Sequence, residues 1–378
     1  MVTKPQSKPT SRRKFLAGAA LTGAATIALP QISRAQTVTL KMQGSWGAGD
    51  IFNDMAKQYV DIVNELGAPR LKLDYLNAGA VVKAFEVQDA VNKGVLDGGH
   101  LVAAYWYGKN RAASLFGTGP CYGWDAHQFL SWFYYGDGHK LYAELTQKVL
   151  NLDIVGWYLM PLPTQPLGWF KFEPKTPADL KNLKYRTVGL ASNVMQAMGL
   201  KVTQLPGGEI IPAMEKGVIE AFEYNNPTSD MRFGAADVAK YYMMSSYHQN
   251  NECLEIEFNK TKFESLPKEQ QAILTHAVAA ASSKNLWMAF PQYGKDLQTL
   301  IQKDGVHVYR TSESILQAQL AAWDKVVAQY SSENEWFKKI SDNQKAWAKD
   351  VAYYNILNAS DSKLAYNHYY GQEQPLGF

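Results

Sequence analysis

Arg186 stands in the run Leu183-Lys184-Tyr185-Arg186-Thr187-Val188-Gly189, read as a strand over Leu183–Val188 that runs into a glycine. A guanidinium near the carboxyl end of such a strand sits where open α/β sheets bind ligands. It grips a carboxylate through two parallel hydrogen bonds that a lysine cannot copy. The same residue type serves equally well as a surface arginine paired with a neighbouring acid. Signals for other chemistry are missing: the chain holds no Gly-x-Ser-x-Gly elbow, Walker A loop, His-Glu-x-x-His, Cys-x-x-Cys or EF-hand loop. Its seven histidines (His100, His127, His139, His248, His276, His307 and His368) show no metal-ligand spacing. Gly117-Thr118-Gly119-Pro120 lacks a Gly-x-x-Gly continuation and reads as a loop. A periplasmic enzyme with catalytic groups scattered along the chain stays open as the alternative of another class.

The elements that must position Arg186 are announced by a repeat. Residues 86–97 (EVQDAVNKGVLD) and 209–220 (EIIPAMEKGVIE) match at Glu, Ala, Lys, Gly, Val and a final acid. Each copy reads as a helix with lysine in its last turn (Lys93, Lys216), then a glycine at the left-handed stop (Gly94, Gly217), then a strand entered through valine. Two similar α/β lobes follow, and a cleft between lobes is a natural place to enclose a small molecule. Val38, Leu40 and Met42 alternate as an opening strand. Asp50 begins a helix with apolar positions at Ile51, Met55, Tyr59, Ile62, Val63 and Leu66, and Leu71–Tyr75 reads as the next strand. In the second lobe Ser192–Met198 reads as a short helix and Lys201–Leu205 as a strand. Beyond residue 263 the pattern is helical, with long periodic stretches at 267–302, 312–330 and 333–357.

The N-terminus sets the compartment. Ser11-Arg12-Arg13-Lys14-Phe15-Leu16 is a twin-arginine export motif, followed by an apolar Ala17–Leu29 stretch and a small-x-small site at Ser33-Arg34-Ala35. Cleavage after Ala35 removes six positive charges and no acid, taking the formal net charge from +3 to −3. No basic run that tracks phosphates remains, so nucleic acid is excluded as a partner. No later segment reads as membrane-spanning. Cys121 and Cys253 form either one disulfide or two separate thiols; two cysteines do not make a scaffold. The remaining chain, from a sequence 46% hydrophobic and 19% charged, is long enough for two cores.

Five segments carry a resemblance. They are Leu183-Lys184-Tyr185-Arg186-Thr187, Gln204-Leu205-Pro206-Gly207-Gly208-Glu209, Glu223-Tyr224-Asn225-Asn226-Pro227, Trp132-Phe133-Tyr134-Tyr135-Gly136-Asp137-Gly138 and Tyr105-Trp106-Tyr107-Gly108-Lys109. Together they resemble the solute-binding proteins of TRAP (tripartite ATP-independent periplasmic) transporters, and most nearly the branch for 2-oxo acids such as pyruvate and its lactate-binding relatives. The resemblance implies a two-lobed α/β binding protein with a ligand cleft, long C-terminal helices and no catalysis. It implies a periplasmic protein that hands a small monocarboxylate to membrane permease subunits. Arg186 takes the ligand carboxylate. A cation, Na⁺ or Ca²⁺, is held beside it by Gln165 of Pro163-Thr164-Gln165-Pro166-Leu167-Gly168-Trp169, by Glu223 and by the Tyr224 carbonyl, all oxygen ligands. Gln165 by itself reads as an ordinary loop amide. Some members of the branch dimerise by exchanging a C-terminal helix, with which the tract 312–357 is compatible.

Two departures carry expectations of their own. Glu223-Tyr224 replaces the usual Glu-Trp, adding a hydroxyl expected to reach the ligand. His248-Gln249-Asn250-Asn251 replaces His-Glu-Pro-Gly, so Gln249 is expected at both ligand and cation but as a neutral amide, weakening the cation or favouring a monovalent one. Trp46 and Tyr105 lie on first-lobe loops, either closing over the ligand or packed in the lobe core. The Trp132–Tyr135 cluster reads as packing. The lobes are expected at 36–160 plus 250–290 and at 161–249 plus 291–378. The runner-up ligand is an aromatic acid or a sulfonate.

Overall fold

The computed structural model describes residues 37–377, so the export motif and its cleavage site lie outside the described residues. From Thr37 onward the chain forms one compact unit. Its strands are β1 (Val38–Gly44), β2 (Leu71–Leu76), β3 (Gly98–Leu101), β4 (Ile154–Pro161), β5 (Gly168–Phe170), β6 (Lys184–Arg186), β7 (Lys201–Thr203), β8 (Ala221–Phe222), β9 (Tyr241–Met244), β10 (Cys253–Asn259) and β11 (His307–Arg310). They form two sheets, ordered β2-β1-β3-β10-β4 and β11-β9-β5-β8-β6-β7.

The two sheets are built alike. In each, three parallel strands with β1 or β6 in the middle are followed by an antiparallel strand, β10 on β3 and β5 on β8. The fourth strand comes from across the chain in both cases. β5 arrives before the parallel strands of its sheet, and β10 arrives only after the second set of parallel strands is complete.

The repeat at 86–97 and 209–220 underlies this likeness. A 3₁₀ turn (Ala84–Glu86 or Gly207–Glu209) leads into a short helix, Val87–Asn92 or Ile210–Glu215. Lys93 and Lys216 close the helices at nearly identical angles, φ −84° and −82°. Gly94 and Gly217 then take φ of +69° and +68°, a left-handed stop that a side chain would strain. The next residues bond back to one carbonyl, Ala90 in the first copy and Ala213 in the second. The valine does not enter a strand, as the sequence suggested. Val95 and Val218 stay exposed on the turn, and the buried residues are Leu96 and Ile219. The final acids do matching work: Asp97 accepts from Lys41 N at 2.7 Å and Glu220 from Lys184 N at 3.0 Å, each joining the repeat to its neighbouring strand.

Helices cover the sheets. Ile51–Gly67 begins at Asp50, whose carboxylate accepts from Phe52 N, and buries Met55, Tyr59, Ile62 and Val63. Leu66 is exposed. The helix Lys268–Gln302 packs on Ile51–Gly67, on β4 and on the short helix Pro227–Arg232, so it touches layers of both sheets. Two more long helices, Glu313–Glu333 and Glu335–Asn358, pack on each other. The first also lies on helix Leu190–Ala197, and the second on segments 111–116 and 126–135. A last helix, Ser362–Tyr370, was not signalled by the sequence. Strand and helix limits in the second sheet shift by two residues or so from expectation, because β6 and β7 stop where the chain turns into the site. Trp132 and Phe133 are packed away, whereas Tyr135 is exposed. Cys121 and Cys253 are separate free thiols, which removes the disulfide alternative.

Candidate functional site

Arg186 ends β6 and is 1% exposed. Its Nε and Nη2 donate to Leu205 O at 2.8 and 2.7 Å, and its Nη1 donates to Glu223 O and Oε1 at 2.9 and 3.0 Å. These bonds use four of the five guanidinium N–H groups and leave one Nη2 hydrogen. The ring of Tyr224 lies 5.8 Å from the guanidinium carbon. The arginine is thus paired with an acid, as one sequence reading allowed, but it is buried rather than on the surface.

Glu223 follows β8 directly and is fully buried. Burial raises its carboxyl to about 7 despite the opposing pull of Arg186. Next to it stands Glu252, raised to about 8 by burial and then by the charge of Glu223. Glu252 Oε2 accepts from Asn225 Nδ2 at 2.5 Å and from Gln165 Nε2. The Gln165 backbone donates to Gln249 O at 3.1 Å, and Gln249 Nε2 donates to Thr187 Oγ1 at 3.3 Å. The chain of contacts therefore brings Arg186, Glu223, Gln165, Gln249 and Glu252 together.

Three oxygens in this group have no donor: Gln165 Oε1, Glu223 Oε2 and Gln249 Oε1, all buried. A buried acceptor left without a partner costs roughly 1–3 kcal/mol. Unpaired buried oxygens together with two carboxylates are of the kind that a hard cation takes as ligands. Among the described residues no cluster of three His, Cys, Asp or Glu could hold a metal. The donor set here is different in kind, two carboxylates with amide oxygens, and suits Na⁺ or Ca²⁺ rather than a transition metal.

The opposite wall is aromatic. Trp46, after β1, is 4% exposed and packs on Phe52 and His100 at centroid distances of 4.9 and 4.7 Å. Tyr105 lies 6.1 Å from Trp46 and 4.5 Å from Phe85. Each packs with the first-lobe core and also lines the cavity. That cavity, bounded by Trp46, Tyr105, Arg186, Tyr224, Gln249 and Glu252 among others, has a volume of about 20 Å³. Gln165 stands behind it, reaching the site through Glu252 and Gln249.

One expectation fails here. The Tyr224 hydroxyl does not face the cavity; it donates to Asp50 Oδ2 at 2.5 Å, where it meets an acceptor on the other lobe. Beside the Gln249-Asn250-Asn251 segment, Glu252 brings a buried carboxyl to the site, raised to about 8 by burial. The sequence signal was an acid one residue past the segment that was read. Asp50 was read only as a helix start, which it is, and its second role depends on a residue far along the chain.

Burial of acids alone does not mark a site. Glu255 and Glu257, on β10, are also buried and raised by burial. Their oxygens are largely taken: Trp106 Nε1 donates to Glu255 at 3.0 Å, Tyr142 Oη also donates to Glu255, and Gln88 Nε2 donates to Glu257 at 3.3 Å.

The family of bacterial extracellular solute-binding proteins, family 7, matches residues 42–334. The chain belongs to this family. A monocarboxylate 2-oxoacid-binding periplasmic protein of a Nostoc species is 30% identical over 316 residues, covering 82% of this chain and 83% of that one. Among solved structures, a TRAP transporter solute-binding protein from Bordetella bronchiseptica superposes with a TM-score of 0.82 at 27% identity, covering 89% of this chain and 98% of the other. It is a dimer with calcium and picolinate in one site. A TRAP protein from Pseudoalteromonas atlantica, with sodium and pyruvate, has a TM-score of 0.80 at 27% identity over 88% of this chain and 99% of that one. One from Colwellia psychrerythraea, with calcium and pyruvate, has 0.80 at 28% over 88% and 100%. This chain is accordingly a TRAP-type solute-binding protein of the periplasm, a transport component, with the two-lobed α/β fold of that group. No helix among the described residues is long and apolar enough to cross a membrane.

Proposed function

We propose that this protein captures a 2-oxo or 2-hydroxy monocarboxylate such as pyruvate or lactate, together with a cation, and delivers it unchanged to TRAP permease subunits. The observation that carries the reading is the buried cavity lined by Arg186, Gln249 and Glu252, with the donorless oxygens of Gln249, Glu223 and Gln165 on it or in the bonded group behind it. Arg186 takes the carboxylate, exchanging part of its contact with Glu223 for the ligand. Gln165, Glu223, Gln249, Glu252 and the Tyr224 carbonyl hold the cation, which supplies fixed positive charge beside the 2-oxo group. Trp46 and Tyr105 cover the apolar end. Closure requires ligand contacts from both lobes, since contact with one alone shifts nothing.

The lobes are assigned as 36–160 plus 250–290 and 161–249 plus 291–378, with export by the twin-arginine motif at 11–16. The C-terminal helices carry exposed Tyr353, Tyr354, Ile356, Leu357, Leu364, Tyr369 and Tyr370, an apolar surface that supports a helix-swapped homodimer. Thermal shifts with pyruvate, lactate, longer 2-oxo acids and picolinate, each with and without Na⁺ or Ca²⁺, test the reading. Cation-dependent stabilisation by a 2-oxo acid recovered intact supports it. Stabilisation by the aromatic acid alone favours the aromatic-acid reading suggested by the Bordetella relative, and turnover of the acid defeats transport.

A further inference from the structure

Tyr224 separates two spaces. On one side is the inner cavity of about 20 Å³, with Arg186, Gln249 and Glu252. On the other is a chamber of about 200 Å³ at the lobe boundary, walled by Gly47, Gly49, Gly207, Gly208, Arg232 and Phe233, with Tyr224 again on its edge. Ala48, Asp50 and Ser229 complete the wall of the chamber, and Tyr224 lines both spaces.

The ring is held from several directions. Its hydroxyl donates to Asp50 Oδ2 at 2.5 Å. Its edge meets Phe233 at a centroid distance of 4.8 Å and an interplanar angle of 82°. Its face lies against Gly207, where a Cβ would stand 2.6 Å from Tyr224 Cε2, so only glycine lets the ring come this close. Asp50 is itself fixed, accepting from Ser229 Oγ at 2.8 Å and from Phe52 N at 3.0 Å. Beside it Arg232 pairs with Asp54 at 2.8 Å, so the one cation of the outer wall is already committed to an acid. Asp50 and Asp54 come from the start of helix Ile51–Gly67, whereas Tyr224, Ser229 and Arg232 come from the segment after β8. The partition is therefore assembled only when these two regions meet.

We infer that Tyr224, clamped by Asp50, is the specificity-determining wall that limits the ligand to a short 2-oxo acid by closing the inner cavity off from the outer chamber. This rests on the 2-oxo acid reading of the site. On this reading an acid whose chain ends within three or four carbons stays on the Arg186 side of the ring, where the inner space is small. A longer uncharged chain must displace the ring, break its bond to Asp50 and enter the glycine-lined chamber. The hydroxyl, through its bond to Asp50, is what fixes the ring in place.

The test is calorimetric titration of the wild type, Tyr224→Phe and Tyr224→Ala with pyruvate and with 2-oxohexanoate, in saturating Ca²⁺. The wild type is expected to favour pyruvate by about 100-fold, the range that a pocket wall achieves against extra methylenes. Tyr224→Phe keeps the ring but loses the clamp, and the preference is expected to fall about tenfold. Tyr224→Ala joins the two spaces, and 2-oxohexanoate then binds as well as pyruvate or better. If both acids weaken together and their ratio is unchanged in both variants, Tyr224 only packs the cleft and the inference is overturned. Equal binding of both acids by the wild type overturns it too. Tyr224→Phe is nearly isosteric, so it decides the question even if Tyr224→Ala does not fold. Pyruvate binding to the wild type with an invariant ratio defeats this inference alone, whereas a wild type that binds neither acid defeats the 2-oxo acid reading with it.

Discussion

Position 43 in the first sheet and position 186 in the second occupy the same place. Gln43 pairs with Gly99 and Arg186 with Phe222, each partner two residues beyond the acid that closes its repeat. Each side chain also reaches back to the same point on the loop before its repeat. Gln43 Nε2 donates to Val82 O at 2.9 Å, and Arg186 donates to Leu205 O. Gln43 stops there, its Oε1 accepting from Val81 N and Val82 N, and the loop is closed with no charge. Arg186 makes the same tie and then extends Nη1 to Glu223. The counterpart of Glu223 is His100, lowered to about 3 by burial and so neutral. One scaffold thus carries a neutral Gln–His pair on one side and a charged Arg–Glu pair on the other. The two copies differ in charge at these two positions, and the loop tie of the first is kept in the second.

This comparison can be broken most directly by Arg186→Gln, which writes the first copy into the second. Because Gln43 shows that an amide can hold this loop, the variant should fold while losing acid binding by at least about 1,000-fold. That loss corresponds to roughly 4 kcal/mol of a bidentate, charge-assisted contact. Its melting temperature is best measured near pH 6, where Glu223 can take up a proton instead of standing as an unpaired buried charge. Retained affinity would show that the arginine is only a loop tie.

A smaller effect is expected at Glu252→Gln. The cation should weaken by at least about 10–100-fold, the loss usual for an outer partner of a ligand, while Glu255→Gln leaves cation affinity unchanged. Isothermal titration with Ca²⁺ separates them, and equal losses would show that the two acid pairs do not differ in kind.

The pH dependence sharpens the same contrast. Glu223 and Glu252 have folded values of about 7 and 8, above the ordinary carboxyl value of 4.5. The folded form therefore holds their protons more tightly than the unfolded one does. Their contribution to stability is complete below pH 4.5 and is lost as pH rises through 7 and 8. A cation must displace those protons, so its stabilising effect grows over the same window. Thermal melts between pH 5.5 and 8.5 should show the melting temperature falling without Ca²⁺ and holding with it; a Ca²⁺ increment that shrinks with rising pH would contradict the cage.

The smallest effect belongs to the neutral side. Gln43→Leu strands the Val81 and Val82 amides and should cost about 1–3 kcal/mol of stability in denaturant unfolding. Ligand affinity should stay the same.

The sequence made the scaffold legible where local rules act. The repeat named both left-handed glycines and both short helices, because a helix stop is decided within a few residues. Arg186, Trp46, Tyr105, Tyr224 and Gln249 all reach one cavity, and Gln165 lies just behind it. What stayed hidden depends on partners distant along the chain. The hydroxyl of Tyr224 was aimed at the ligand by default, and only the approach of Asp50, 174 residues earlier, turns it away. Glu252 escaped because its role is set by Gln165 and Asn225 converging on one of its oxygens, which no spacing rule reports.

The late arrival of β10 has a consequence for biogenesis. This strand lies between β3 and β4 and pairs with both, yet it is made more than 90 residues after β4. Until then β4 has no partner strand and the far edge of β3 is unpaired, the kind of surface that recruits other chains. The first lobe cannot mature as an independent N-terminal body during synthesis, and the two lobes must complete their folding together. A chain truncated just before Cys253 should therefore aggregate, even though it contains the three-stranded parallel set of each sheet.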